Sequence, residues 1–223
     1  MQDIELEQAI EVLLAHAVPV AETERVPLLE AVGRVAAEDV DAAFDNPPFD
    51  RSPLDGYTFA SASTADASAE YPVRLSVIGE ECAGDFFAGA VGAGECVRIM
   101  TGGAIPEGCD CVVRQEDVRE EGDAIFVPFT SQPFENYCYA GEDIKKGNLL
   151  VRRGQRIHAA QIAVLASEGY AAVCVHRRVR IAVASTGDEL MQPGEPLRPG
   201  KIYNSNLYLL AGRLKELGAE VTV

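Results

Sequence analysis

Four short stretches set carboxylate or hydroxyl side chains beside glycine: SPLDGY with Asp55, RIMTGG with Thr101, AGEDIKKG with Glu142 and Asp143, and STGDEL with Thr186, Asp188 and Glu189. Unperturbed carboxyl pKa values lie near about 4, so these acids are expected to be ionised at neutral pH. Magnesium takes one or two such carboxylates together with substrate phosphate oxygens. A threonine hydroxyl can donate to an oxyanion. The chemistry open to this set is cation-assisted work on a phosphorylated or oxyanionic substrate. Each stretch is also ordinary turn material, because Asp-Gly and its relatives serve turns routinely.

These residues need elements to hold them. Asp50 and Asp55 sit in NPPFDRSPLDGYTF, residues 46–59, where three prolines fix φ and remove backbone donors. The loop is therefore stiff. Before it, IELEQAIEVLLAHA places Leu6, Ile10, Leu13, Leu14 and Ala17 on one helical face, with Asp3 as N-cap. A second helix is predicted over Leu28 to Val40. From Tyr71 the period changes to two, and short strands separated by Gly, Pro and acidic turns follow. HAAQIAVLASEG reads as a helix facing Ile162, Leu165 and Ala166 inward, with Gly169 at its C-cap. AAVCV is a short strand.

RVRIAVASTGDEL opens something different. Its apolar run predicts a strand buried on both faces. Asn204 or Ser205 caps a helix that stops at Gly218, and AEVTV opens a second strand. That is one βαβ unit. Thr186, Asp188 and Glu189 then lie past the strand's C-terminal end, where open α/β sheets bind ligands. The division expected is 1–46 with 137–177 as a helical and linker region, 47–136 as a β-rich insert, and 178–223 as the start of an α/β domain. A lone βαβ unit does not make a covered sheet, so that domain is expected to be truncated.

Bulk properties narrow the function classes. The formal net charge is −16, which argues against nucleic acid as partner. No apolar run approaches the roughly 18 residues of a membrane span, and no basic segment leads an apolar one at the start, so a cytoplasmic protein is expected. The six cysteines form no C-x-x-C pair and read as buried and reduced. His16, His158 and His176 show no zinc spacing. GAVGAGE does not join a strand to a helix, and GAIPEGCD lacks the Lys-Ser/Thr of a phosphate loop, so neither is a nucleotide motif.

PPFDRSPLDGYTF, RIMTGGAIPEGCDCVVRQED, GEDIKKGNLLVRRGQRI and STGDELMQPGEPLRPGKIYNSN stand in an order and at gaps that resemble the molybdopterin molybdenumtransferase family, MoeA and the E domain of gephyrin. The resemblance spans nearly the whole chain. It implies an α+β multidomain fold: a helical N-terminal region interrupted by a small β-rich domain, then the first βαβ unit of an α/β, MogA-like domain. It implies insertion of molybdate into adenylylated molybdopterin with release of AMP, assisted by Mg²⁺ or Zn²⁺. Asp55, Thr101, Asp143 and Glu189 take the catalytic positions, with Asp55 and Glu189 as metal ligands and Thr186, Gly187, Asp188 and Ser205 as pterin-binding positions. It further implies a homodimer with the site between subunits, and the molybdopterin adenylyltransferase as a further partner. A chain lacking the family's later pterin loops is expected to be inactive alone. The alternative is a non-catalytic scaffold of the same fold that binds protein partners.

Three features depart from the family pattern. NYCYA, Asn136 to Ala140, stands where relatives carry a basic run, Arg51 and Pro53 differ, and the chain stops at Val223. Arg51 is open to two readings, a phosphate partner or a surface charge. Asp50 is expected to be structural, capping a turn next to Pro53.

Overall fold

A computed structural model describes residues 4–223; Asp3, the expected cap of the first helix, lies outside them. In chain order the elements are α1 (Leu6–Ala15), β1 (Thr23–Pro27), a 3₁₀ turn (Leu28–Ala31), β2 (Val40–Asp41), β3 (Gly56–Phe59), β4 (Val73–Glu81), β5 (Glu95–Ile99), β6 (Cys111–Arg114), β7 (Arg119–Glu121), β8 (Ala124–Val127), β9 (Leu149–Val151), α2 (Ala159–Ser167), β10 (Ala172–His176), β11 (Arg180–Ala182), β12 (Leu190–Met191), β13 (Ile202–Tyr203), α3 (Ser205–Glu216) and β14 (Glu220–Thr222). The fold is mixed α and β, mostly strand, with three α-helices among the described residues.

The chain divides into two compact units, Asp41–Asn148 and the remainder, 1–40 with 149–223. The first unit is built on a six-stranded sheet in the order β6-β3-β5-β4-β8-β7. All its pairings are antiparallel except β4 with β5. Alternation along these strands sends Tyr57, Phe59, Leu75, Cys96, Cys111, Val113, Ile125 and Val127 into one apolar core. Burial raises the thiols of Cys96 and Cys111 to about 12 and that of Cys109 to about 11, so they stay protonated and behave as small hydrophobes. None of the six cysteines is in a disulfide.

In the second unit β1 pairs antiparallel with β10. Their inner residues, with Leu165 of α2 and Ala31, Ala36, Val151 and Ile157, form a separate core. Leu165 is fully buried and Ile162 packs beside it, but Ala166 is exposed, which corrects the expectation that it faces inward. Gly169 ends α2 at φ +77°, with the Tyr170 N–H donating to the Leu165 carbonyl at 3.0 Å.

The helix expected over Leu28 to Val40 does not form. A single 3₁₀ turn closes at Ala31 and Gly33 adopts φ +76°. The chain then bridges two neighbours: Ala36 donates to Gln155 and Ala37 to Cys174. Pairing outweighs a weak helical preference in a stretch containing β-branched Val32 and Val35. The strand TERVP, read as nothing in particular, is β1. Helix α1 does form, but no residue in it is buried and its apolar Leu6, Leu13 and Leu14 are exposed.

The αβ pattern near the end stands, with a correction. β11 and β14 pair in parallel, joined through α3. β11 is only three residues long, and its Arg180 and Ala182 are exposed rather than buried on both faces. β11 has a single neighbouring strand, β14, among the described residues.

Candidate active site

The Asp41–Asn148 unit carries Asp55 and Thr101. β3 and β5 are antiparallel neighbours with Gly56 opposite Ile99, so the residue before β3 and the turn after β5 meet at one end of the sheet. There the Asp55 Oδ1 accepts two hydrogen bonds from Thr101, from its N–H at 2.7 Å and its hydroxyl at 2.8 Å. These bonds, backbone first, hold the Asp55 carboxyl below its ordinary value. Among the described residues no donor bonds its Oδ2. The Thr101 hydroxyl proton is thus directed to Asp55. The oxygen keeps lone pairs that can accept.

The proline-rich loop reaches this pair as a strand-like segment held on both sides. Arg51 exchanges backbone bonds with Cys138 (2.9 and 3.1 Å), and Ser52 donates to Gly103 and accepts from Gly102 (2.9 and 2.8 Å). The Ser52 hydroxyl donates to the Leu54 carbonyl at 2.6 Å, which shapes the turn just before Asp55. Asp50 is structural, but not as a cap beside Pro53. Its carboxylate accepts from the Tyr137 hydroxyl at 2.6 Å and the Ala140 N–H at 2.8 Å. The NYCYA stretch therefore anchors the loop, and Tyr137 packs against the rings of Phe134 and Tyr139.

Asp143 pairs with Arg51 at 3.6 Å, four residues before Asp55. Both groups are partly exposed, so the pair adds little stability. Within this chain the Arg51 guanidinium faces Asp143. Glu142 is a turn residue whose carboxylate accepts from the Tyr139 N–H at 3.1 Å.

The second unit carries the other candidates. A cavity of about 220 Å³ is lined by Ser185, Thr186, Glu189, Asn204 and Ser205 among others. Buried Asn204 builds its wall. Its amide donates to the Ser185 hydroxyl at 2.6 Å, and its oxygen accepts from Leu207 N–H at 3.4 Å, capping α3. The parallel pair β12–β13 closes the Pro- and Gly-rich loop that brings Glu189 and Ser205 to the same cavity. Gly187 and Asp188 do not line it. The Asp188 carbonyl accepts from Lys201 at 2.6 Å, and a Cβ at Gly187 would lie 2.6 Å from a Glu189 carboxylate oxygen. Ser185 and Lys201 were not singled out in sequence; Ser185 opens the STGDEL stretch as a plain hydroxyl, and Lys201 lies after the Pro- and Gly-rich loop, where its bond to the Asp188 carbonyl is not a local signal.

Among the described residues no group of three or more His, Cys, Asp or Glu is placed to hold a metal ion. A cage built wholly from protein is thus not offered. Asp55 supplies one hard oxygen, Oδ2, which suits a Mg²⁺ ion completed by substrate and water better than a Zn²⁺ ion that prefers nitrogen and sulfur.

One consequence can be measured directly. In Thr101→Val the hydroxyl donor is gone and one backbone donor remains, so the Asp55 pKa is expected to rise toward the ordinary 3.8. Carboxyl carbon NMR titration reads it; an unchanged midpoint would show that the hydroxyl does not act on Asp55. The sign for stability follows. A depressed carboxyl stabilises the fold above its unfolded value, and that stability is lost as pH falls through the folded value. Wild-type stability should thus fall more than that of Thr101→Val on acidification below about 3.8.

Residues 4–169 match the family model of the MoeA N-terminal region, domains I and II. A molybdopterin molybdenumtransferase of Bacillus subtilis is 41% identical over 202 residues, covering 89% of this chain and 47% of that protein. A solved molybdopterin biosynthesis MoeA protein from Pyrococcus horikoshii OT3 superposes with a TM-score of 0.89 at 36% identity, over 97% of this chain and 57% of that one. The chain spans about half the length of the curated relatives it matches. With 166 residues inside the family model, and with Asp55 and Thr101 both among them, the chain belongs to the MoeA N-terminal region family.

Proposed function

We propose that this chain serves molybdenum cofactor biosynthesis, in a protein that inserts molybdate into adenylylated molybdopterin with release of AMP. The observation that carries the reading is the Asp55–Thr101 pair, an ionised, oriented carboxylate with one oxygen free of protein donors, inside a chain of this family. The curated relatives are named molybdopterin molybdenumtransferase.

In this reading Asp55 of one subunit and Glu189 of the other are the metal ligands, and the ion is Mg²⁺. When bound, the ion neutralises charge on the phosphates flanking the bond to be cleaved. Thr101 holds the Asp55 carboxylate ionised and in one orientation. Asp143 pairs with Arg51 on the loop that carries Asp55, and the Arg51 cation offsets the charge of an incoming oxyanion. Thr186, Gly187, Asp188 and Ser205 bind the pterin substrate; Thr186 and Ser205 offer hydroxyls in the cavity that Glu189 lines. The stiffness of the proline loop is preorganisation, since a displacement of about 1 Å in such a group can cost roughly 10²-fold in rate.

The finer architecture belongs to the same reading. Residues 1–46 with 137–177 form the N-terminal domain, 47–136 the β-rich insert, and 178–223 the opening of an α/β, MogA-like domain. The protein acts as a cytoplasmic homodimer, and the molybdopterin adenylyltransferase delivers its substrate. The test is AMP release from adenylylated molybdopterin and molybdate by the protein containing these residues, with Mg²⁺ present. Release no faster than in the protein-free mixture overturns the proposal.

A further inference from the structure

Glu81 is the last residue of β4 and only 1% exposed. Both its carboxyl oxygens are shut off from solvent, and neither has a hydrogen-bond partner among the described residues. An unpaired carboxylate in such a place is costly, and the neutral acid is far less so. Burial pushes its pKa up and the Asp85 carboxylate adds to the rise; the nearby backbone N–H groups of Phe87 and Ala104 offset part of the shift.

Its position connects it to the site. Glu81 stands opposite Ile99, and its carbonyl accepts from the Met100 N–H at 3.0 Å. The turn 100–104 runs close to its backbone: a Cβ on Gly103 would sit 3.3 Å from the Glu81 carbonyl oxygen and 3.0 Å from Ile99 Cγ1. The same turn presents Thr101 to Asp55. The charged groups around Glu81 are Asp85, on the loop beneath it, and the Glu80–Arg98 pair at 3.9 Å, which strand alternation puts on the opposite face.

We propose that Glu81 is a positioning residue for the Asp55–Thr101 pair, packed as the neutral acid behind the 100–104 turn, and that its ionisation displaces the turn and breaks the pair. A carboxylate there must draw in water, and with both oxygens shut off from solvent and the backbone of Ala104 beside them, water reaches them only if the turn moves. The idea rests on the reading of Asp55 and Thr101 as the working pair, but its readout is the geometry of that pair rather than turnover, so the two can fail separately.

The experiment is an NMR pH titration of the labelled 223-residue chain, following the Glu81 carboxyl carbon and the Thr101 amide proton. The expected result is a Glu81 midpoint above the ordinary 4.5 and an upfield step of the Thr101 proton at the same midpoint. The step should be absent in Glu81→Gln, and in Glu81→Leu should the glutamine variant fold poorly. A Thr101 proton that does not move through the Glu81 titration overturns the proposal, as does a step that persists in either folded variant.

Discussion

Gly56→Ala is expected to destabilise the chain by about 3 kcal/mol or more, the upper range for forced overpacking. Gly56 follows Asp55 and sits between β5 and β6. A Cβ at this position would lie 1.8 Å from the Val113 carbonyl oxygen and 2.8 Å from its carbon. Both are backbone atoms of the neighbouring strand β6, so no rotamer change relieves the clash. Either the edge strand β6 separates from β3 or β3 shifts along the sheet, and the second movement carries Asp55 away from Thr101. Urea unfolding of the two proteins measures the loss, and a wild-type midpoint for the variant would refute the packing account. The glycine after Asp55 thus serves close strand approach, where the sequence alone suggested Asp-Gly turn chemistry.

The second large effect concerns turnover. In the whole protein Asp55→Ala is expected to lower kcat on the order of 10²-fold or more, the scale set by losing a positioned group. Asp55→Asn is the sharper variant, because an amide oxygen can still accept both Thr101 bonds while the charge is gone. If the charge is what matters, both variants lose rate alike. If Asn keeps wild-type turnover, Asp55 acts only as an anchor for the 100–104 turn and its role as ligand is wrong. Rate against Mg²⁺ concentration separates the cases further: a lost ligand raises the cation needed for half-maximal rate, whereas a lost anchor does not.

The strands around Leu75, Cys96, Val112 and Ile125 were legible in the sequence, because short β-branched and apolar runs bounded by turn residues are a local signal. So were α2 and α3, with Gly169 and Asn204 as their punctuation. The segment after Leu28 was not. Its preference for helix is real but small, and the partners that overrule it, Gln155 and Cys174, lie more than a hundred residues away. Asp50 was recognised as structural, yet its partners were unreadable, since Tyr137 and Ala140 come from a stretch whose only visible feature was a missing basic run. Glu81 gave no signal at all: an acid next to another acid in GEEC reads as solvated until the burial of one of them is known.

The sequence by itself determined which side chains could do chemistry, the stiffness of the loop that presents Asp55, and the family, because residue types, prolines and motif spacing are local or linear properties. Only the tertiary structure decided that Asp55 and Thr101, 46 residues apart, form one hydrogen-bonded pair. It also decided that Asn204 walls the Glu189 cavity, and that Glu81 lies buried behind the Thr101 turn. Strand order and register set which chain ends meet, and those depend on how distant segments pack together.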